Sequence, residues 1–108
     1  MTTLSEHEFR VRSDEALEES RKALLPLADE NEFEVELQNG VLNVVFEEPR
    51  EAKFVVSPNA PVRQIWVSAM SRSYKLAWDP ERSVFTLGGE ALADLLGRLC
   101  NEFLTTSS

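Results

Sequence analysis

Residues 58–79 read PNAPVRQIWVSAMSRSYKLAWD. At the centre of this stretch Val62, Gln64, Trp66 and Ser68 alternate with Arg63, Ile65 and Val67, which is the period-two pattern of a β-strand. Ile65 and Val67 are apolar and β-branched, so their face belongs against a core. Gln64, Trp66 and Ser68 then point the other way. An indole kept in water is costly, so Trp66 either meets a partner or packs under a neighbouring loop.

Working outward, Pro58, Asn59 and Pro61 read as a stiff turn into this strand. Ser71 to Trp78 reads as a further strand with Tyr74, Leu76 and Trp78 on one face. Upstream, Phe33, Val35 and Leu37 alternate with Glu34, Glu36 and Gln38, a half-buried strand with an acidic outer face. Asn39-Gly40 is a strong hairpin signal and leads into a second strand, Val41 to Phe46. Glu47 to Arg50 turns the chain, and Ala52 to Ser57 forms a third strand, so short turns imply a meander. Downstream, Asp79-Pro80-Glu81-Arg82 is a turn by composition, and Val84 to Thr86 adds a short sixth strand. Beyond Gly88-Gly89, the residues Leu92, Leu95, Leu96, Leu99 and Phe103 share one face of an amphipathic helix. Its interior Gly97 costs about 1 kcal/mol relative to alanine, which a close approach to the sheet or another helix would justify.

A longer helix opens the chain, from Leu4 to about Ala28. Phe9, Leu17, Leu24 and Leu27, with small Ser13, Ala16, Ser20 and Ala23, share its core face. Glu8, Glu15, Glu18, Glu19 and Lys22 occupy the opposite face. Pro26 predicts a kink or an early end near Leu25, and Asp29 to Glu32 reads as a polar connection. Each helix has one apolar face, and the other side of the sheet carries Glu34, Glu36, Gln64 and Trp66, so both helices cover the same side. The expected fold is α+β: a two-layer sandwich with two helices on one face of a five- to six-stranded antiparallel sheet, in the order helix, strands, helix.

The totals narrow the function classes. The 108 residues suit a single domain, with disorder expected at 1–3 and 105–108. Nineteen acids against eleven bases give a net charge of −8, which disfavours nucleic acid and favours cations or a basic protein surface. The first 36 residues hold eleven of those acids and four bases, so nearly all the excess lies in the first third. A single cysteine, Cys100, forms no internal disulfide and reads as a half-buried packing thiol. No apolar run reaches the length of a membrane span or signal core, so a cytoplasmic, reduced protein is expected.

The chain resembles the frataxin family, of the bacterial CyaY-like type, over almost its whole length. The residues that carry the likeness are Asn39-Gly40-Val41-Leu42 and Phe46, then Asn59, Pro61, Gln64-Ile65-Trp66 and Ser68, then Tyr74, Trp78 and Asp79, and finally Leu92, Leu95 and Leu96. The resemblance implies the same helix, sheet, helix fold. It also implies a small iron-binding protein that docks on the cysteine desulfurase and scaffold of iron-sulfur cluster assembly and adjusts its rate. The family's acidic ridge corresponds here to Glu15, Glu18, Glu19, Asp29, Glu30, Glu32, Glu34 and Glu36. Its partner-facing sheet residues correspond to Asn59, Gln64, Trp66 and Ser68. Two stretches depart from the family pattern: Arg21 to Pro26 replaces an acidic end of the first helix, and Ala69 to Ser73 replaces a turn that many relatives make rich in proline and glycine.

Carboxylates are hard oxygen donors, suited to iron, manganese, magnesium or calcium in loose, solvated coordination, and the resemblance implies iron, ferrous or ferric, held weakly and exposed to solvent. The alternatives for the same acids are a merely solvated helix face or a surface that steers a basic partner. No catalytic residues are assigned: His7 is the only histidine, and no nucleophile triad, phosphate loop or metal-spaced histidine motif is present. An enzyme is therefore not expected, although the family has been proposed to oxidise ferrous iron. The expected state is a monomer that iron could drive into oligomers. A second class fits the same totals, a small acidic dimeric chaperone for a secreted effector protein.

Overall fold

A computed structural model describes residues 4–48 and 50–105. Pro49 within the expected Glu47 to Arg50 turn, and the tails 1–3 and 106–108, lie outside the described residues. The chain forms α1 (Glu6–Asn31), β1 (Glu34–Gln38), β2 (Val41–Phe46), β3 (Ala52–Asn59), a 3-10 turn (Ala60–Val62), β4 (Gln64–Ala69), β5 (Arg72–Asp79), β6 (Val84–Leu87), β7 (Glu90–Ala91) and α2 (Leu92–Thr105). The strands form one antiparallel meander in chain order. Both helices pack on one face of it, so the two-layer sandwich read from the sequence is the fold.

The core lies between the helices and the inner sheet face. Leu42, Val44, Phe46, Phe54, Val56, Ile65, Val67, Leu76 and Phe85 meet Phe9, Leu17 and Leu24 of α1 and Leu95, Leu96, Leu99 and Phe103 of α2. Phe46 is its aromatic hub, with ring centroids 4.7 Å from Phe33, 5.0 Å from Phe54 and 4.4 Å from Phe103. These spacings lie at the close end of the roughly 4.5–7 Å range where offset and tilted aromatic pairs attract. Ser13 and Ser20 are buried on α1, and the Ser13 hydroxyl donates back to the Arg10 carbonyl at 3.1 Å.

Local chemistry sets the element ends. Ser5 caps α1 in a reciprocal capping box: the Glu8 N–H donates to Ser5 Oγ at 3.1 Å, and the Ser5 N–H donates to Glu8 Oε1 at 3.2 Å. Asn39 and Gly40 take the two positive φ angles of a tight hairpin, 54° and 75°, as their sequence required.

The structure corrects several expectations. Pro26 does not end α1; the helix continues to Asn31, because Pro26 sits on the exposed side while Leu24 and Ala28 keep the buried side anchored. Asp29, Glu30 and Asn31 are therefore helical, and Glu32 closes the helix in the left-handed region at φ 59°. Ala23, expected on the core face, is exposed. Pro58 and Asn59 complete β3, paired with Ile65 and Gln64, and the register with β2 stops at Val56, before Pro58's missing N–H would matter. Val62 belongs to the 3-10 turn, so β4 starts at Gln64. The sheet has seven strands, because Gly88 and Gly89 form a second glycine hairpin that turns Glu90 and Ala91 back onto β6. A Cβ added at Gly97 would meet nothing within 4 Å, so no close approach explains that glycine. Cys100 is fully rather than half buried, and burial pushes its thiol up to about 12. Thr105 is the last residue of α2 rather than part of a loose tail.

Candidate functional site

The residues singled out in the sequence fall on two surfaces. The first is the uncovered face of the sheet. Its positions follow from register: Glu36, Asn43, Val55, Ser68 and Ser73 form one row across β1 to β5, and Ser57, Trp66 and Lys75 form the next. Ile65 and Val67 are buried beneath, while Trp66 is 36% exposed, as the alternation of β4 required.

The indole is held rather than loose. Its Nε1–H donates to Gln64 Oε1 at 2.9 Å, and Lys75 Nζ lies 4.8 Å from the ring centroid, within cation–π range. Trp66, Val55, Ser57, Ser68, Ser73 and Lys75 line a shallow hollow of about 350 Å³. Asn59 sits opposite Gln64 at the end of β3. The four residues expected to face a partner are thus neighbours on β3 and β4. Lys75 joins them, and the sequence held a signal for it: a two-residue turn at Met70-Ser71 puts Lys75 opposite Trp66. Arg63, also at positive φ, braces the approach to β4, its guanidinium donating to the carbonyls of Leu4 and Ala60 and tying the start of α1 to this connection.

The second surface is acidic and falls into two groups. Glu15, Glu18 and Glu19 lie within one turn of α1. Asp29 and Glu30 lie in its last turn, Glu32 caps it, and the series runs on into exposed Glu34 and Glu36 of the edge strand β1. Ten residues of helix, about 15 Å, separate Glu19 from Asp29, and Arg21 and Lys22 stand between.

The first group is partly neutralised. Arg12 pairs with Glu15 at 3.3 Å, and Arg21 grips Glu18 with two hydrogen bonds, of 3.1 and 2.6 Å. Those hydrogen bonds hold the Glu18 carboxyl below its ordinary range and push the Arg21 guanidinium up. The second group makes no ion pair among the described residues, and no basic residue lies in the last turn of α1. Acids there face the negative end of the helix dipole, the less favourable end for them. Among the described residues no three His, Cys, Asp or Glu side chains are grouped so that they could hold a metal ion.

A family model described as a frataxin-like domain matches residues 2–106. The chain belongs to the frataxin family. Among proteins similar to this frataxin, the iron-sulfur cluster assembly protein CyaY of Cupriavidus metallidurans is 30% identical over 105 residues, covering 94% of this chain and 93% of its own. CyaY of Bordetella petrii is 30% identical over 101 residues, 92% and 91% of the two chains. CyaY of Pseudomonas fluorescens is 30% identical over 97 residues, 86% of each. This is the bacterial type the residues around Trp66 pointed to, and it sets aside the secretion-chaperone reading that the totals alone left open. Among the described residues, no helix of this frataxin is long and apolar enough to cross a membrane.

Proposed function

We propose that this frataxin is a cytoplasmic accessory protein of iron-sulfur cluster assembly, without catalytic residues of its own, that uses the two surfaces separately. The open sheet face docks on the cysteine desulfurase and scaffold, with Trp66 as the anchor and Asn59, Gln64 and Ser68 beside it. The single observation that carries this is the partly exposed indole, held by Gln64 and Lys75 on a face that no described element covers. Large aromatic side chains presented in this way supply a disproportionate share of binding energy.

The acidic ridge attracts iron, which is cargo rather than a resident group. Glu15, Glu18, Glu19, Asp29, Glu30, Glu32, Glu34 and Glu36 supply only oxygen donors, and no three of them are grouped as ligands. That arrangement suits a hydrated ferrous or ferric ion held by field rather than by a cage. The better-suited end is Asp29 to Glu36, whose acids make no ion pair among the described residues. The same field orients a basic partner surface. In this reading the protein is a monomer until iron neutralises the ridge.

The test is recovery of the tagged chain from cells, with identification of what it carries. A desulfurase or scaffold on the wild type, and its loss from Trp66→Ala with iron retention intact, is the expected result. A Trp66→Ala chain that loses iron and partners together would show that the surfaces are not separate.

A further inference from the structure

A groove of about 240 Å³ runs between the middle of α1, the end of β5 and the start of α2. Arg12, Glu15 and Glu19 line one wall, Trp78 and Phe85 the other, and Leu92 closes the end. The volume lies below the roughly 300 Å³ at which pockets for whole small molecules begin, so the groove is sized for a side chain. Trp78 is braced by an edge-on contact with Phe85, centroids 5.2 Å apart, and Arg12 lies over a face of its ring.

A cation already occupies that face. The Arg12 guanidinium lies 5.6 Å from the Trp78 ring centroid, and its Nη1 donates to Glu15 Oε1 at 3.3 Å. Both partners of this ion pair remain about half exposed, 49% and 57%, so the contact is weak and readily exchanged. Glu19, one turn along, makes no ion pair among the described residues. The groove thus offers an aromatic face and two carboxylates, and only one of the two is neutralised from within.

We infer that this groove is a subsite for an arginine side chain of a basic partner surface, and that Arg12 is an internal placeholder which the incoming guanidinium displaces. The occupant follows from charge and shape. A planar cation stacks on Trp78 and bridges Glu15 and Glu19, as Arg12 already does with one of them. An anion is repelled by both carboxylates, and an apolar side chain leaves them uncompensated. The inference deepens the reading of the ridge as a surface for a basic partner and rests on that reading.

Trp66→Phe leaves Trp78 as the only tryptophan, so its indole N–H resonance reports on the groove. In that background a tri-arginine peptide shifts the Trp78 resonance saturably, and a tri-glutamine peptide does not. Arg12→Gln tightens the peptide about three- to tenfold, the factor expected from freeing one exposed ion pair and one exposed cation–π contact, and Glu19→Gln weakens it by a similar factor. A Trp78 resonance that ignores the peptide, equal response to both peptides, or an Arg12→Gln variant that binds no tighter overturns the inference. Loss of the groove response while the wild-type chain, Trp66 intact, still co-purifies with desulfurase and scaffold would sink the subsite alone. A responsive groove together with a wild-type chain, Trp66 intact, that recovers neither partner would sink the docking reading instead.

Discussion

Replacing Asp29 and Glu30 by lysine should make the protein more stable, and the size of the gain follows from the end of α1. Both acids are exposed in the last turn, next to a left-handed Glu32, with no basic residue in that turn to offset them. A charge beside a helix terminus is worth about 0.3–1 kcal/mol at low ionic strength, unfavourable here and favourable once reversed. Two reversals therefore shift stability by roughly 1–4 kcal/mol, and exposure holds the figure to the lower half, about 1–2 kcal/mol. With a urea dependence of about 1–3 kcal/mol per molar for a small domain, the unfolding midpoint should rise by roughly 0.3–2 M at low salt. The Debye length falls from about 10 Å to about 3 Å between 0.1 and 1 M salt, so most of the gain should vanish at 1 M. Only the few tenths of a kcal/mol by which lysine is the better helix former should remain. Millimolar ferrous iron should raise the wild-type midpoint and leave that of the double variant nearly unmoved. An unchanged or lowered midpoint at low salt, or a gain that ignores salt, would refute the idea that this end of the ridge holds uncompensated charge.

Three further outcomes are expected. Ser71→Gly should stabilise the β4–β5 hairpin by about 0.5–1 kcal/mol in urea titrations, because Ser71 is held at φ 64° in a turn position that glycine fills without penalty. The hydrogen bonds from Arg98 hold the Glu90 carboxyl below its ordinary value of 4.5, so its contribution is present above that pH and is lost as pH falls below it. Arg98→Gln should accordingly lower the thermal midpoint at pH 7, with the difference from wild type closing below about pH 4.5. Cys100, buried and pushed up to about 12, should resist thiol reagents in the native protein and react only on unfolding, whereas rapid native labelling would contradict its place in the core.

Strands and the second helix were legible because their patterns are short-range. Ile65 and Val67 declare a buried face by alternation, Asn39-Gly40 declares a hairpin, and Leu92 to Phe103 declares a helical stripe. The early end expected at Pro26 fails because a proline rule weighs one lost hydrogen bond, while the helix is held by the burial of Leu24 and Ala28 on either side of it. Gly88-Gly89, which the pattern of α2 left as a boundary only, is itself a hairpin signal, and β7 follows from it.

For the site, composition and the resemblance located the acids but not their partners. The Glu18–Arg21 pair at three residues' spacing was within reach of the sequence. The stacking of Arg12 on Trp78 was not, since it joins residues 66 positions apart through the packing of α1 on the sheet. Lys75 beside Trp66 lay between these cases, visible only once the length of the β4–β5 turn was known.

The most direct measurement is a binding titration of wild type, Trp66→Ala and the Asp29→Lys, Glu30→Lys variant against a desulfurase and scaffold mixture at low and high salt. If the indole anchors docking and the ridge only steers it, Trp66→Ala should lose roughly thirtyfold or more in affinity with its salt slope intact, and the double variant should show a flattened slope. A Trp66→Ala protein that binds as tightly as wild type would contradict the assignment of the open sheet face as the docking surface.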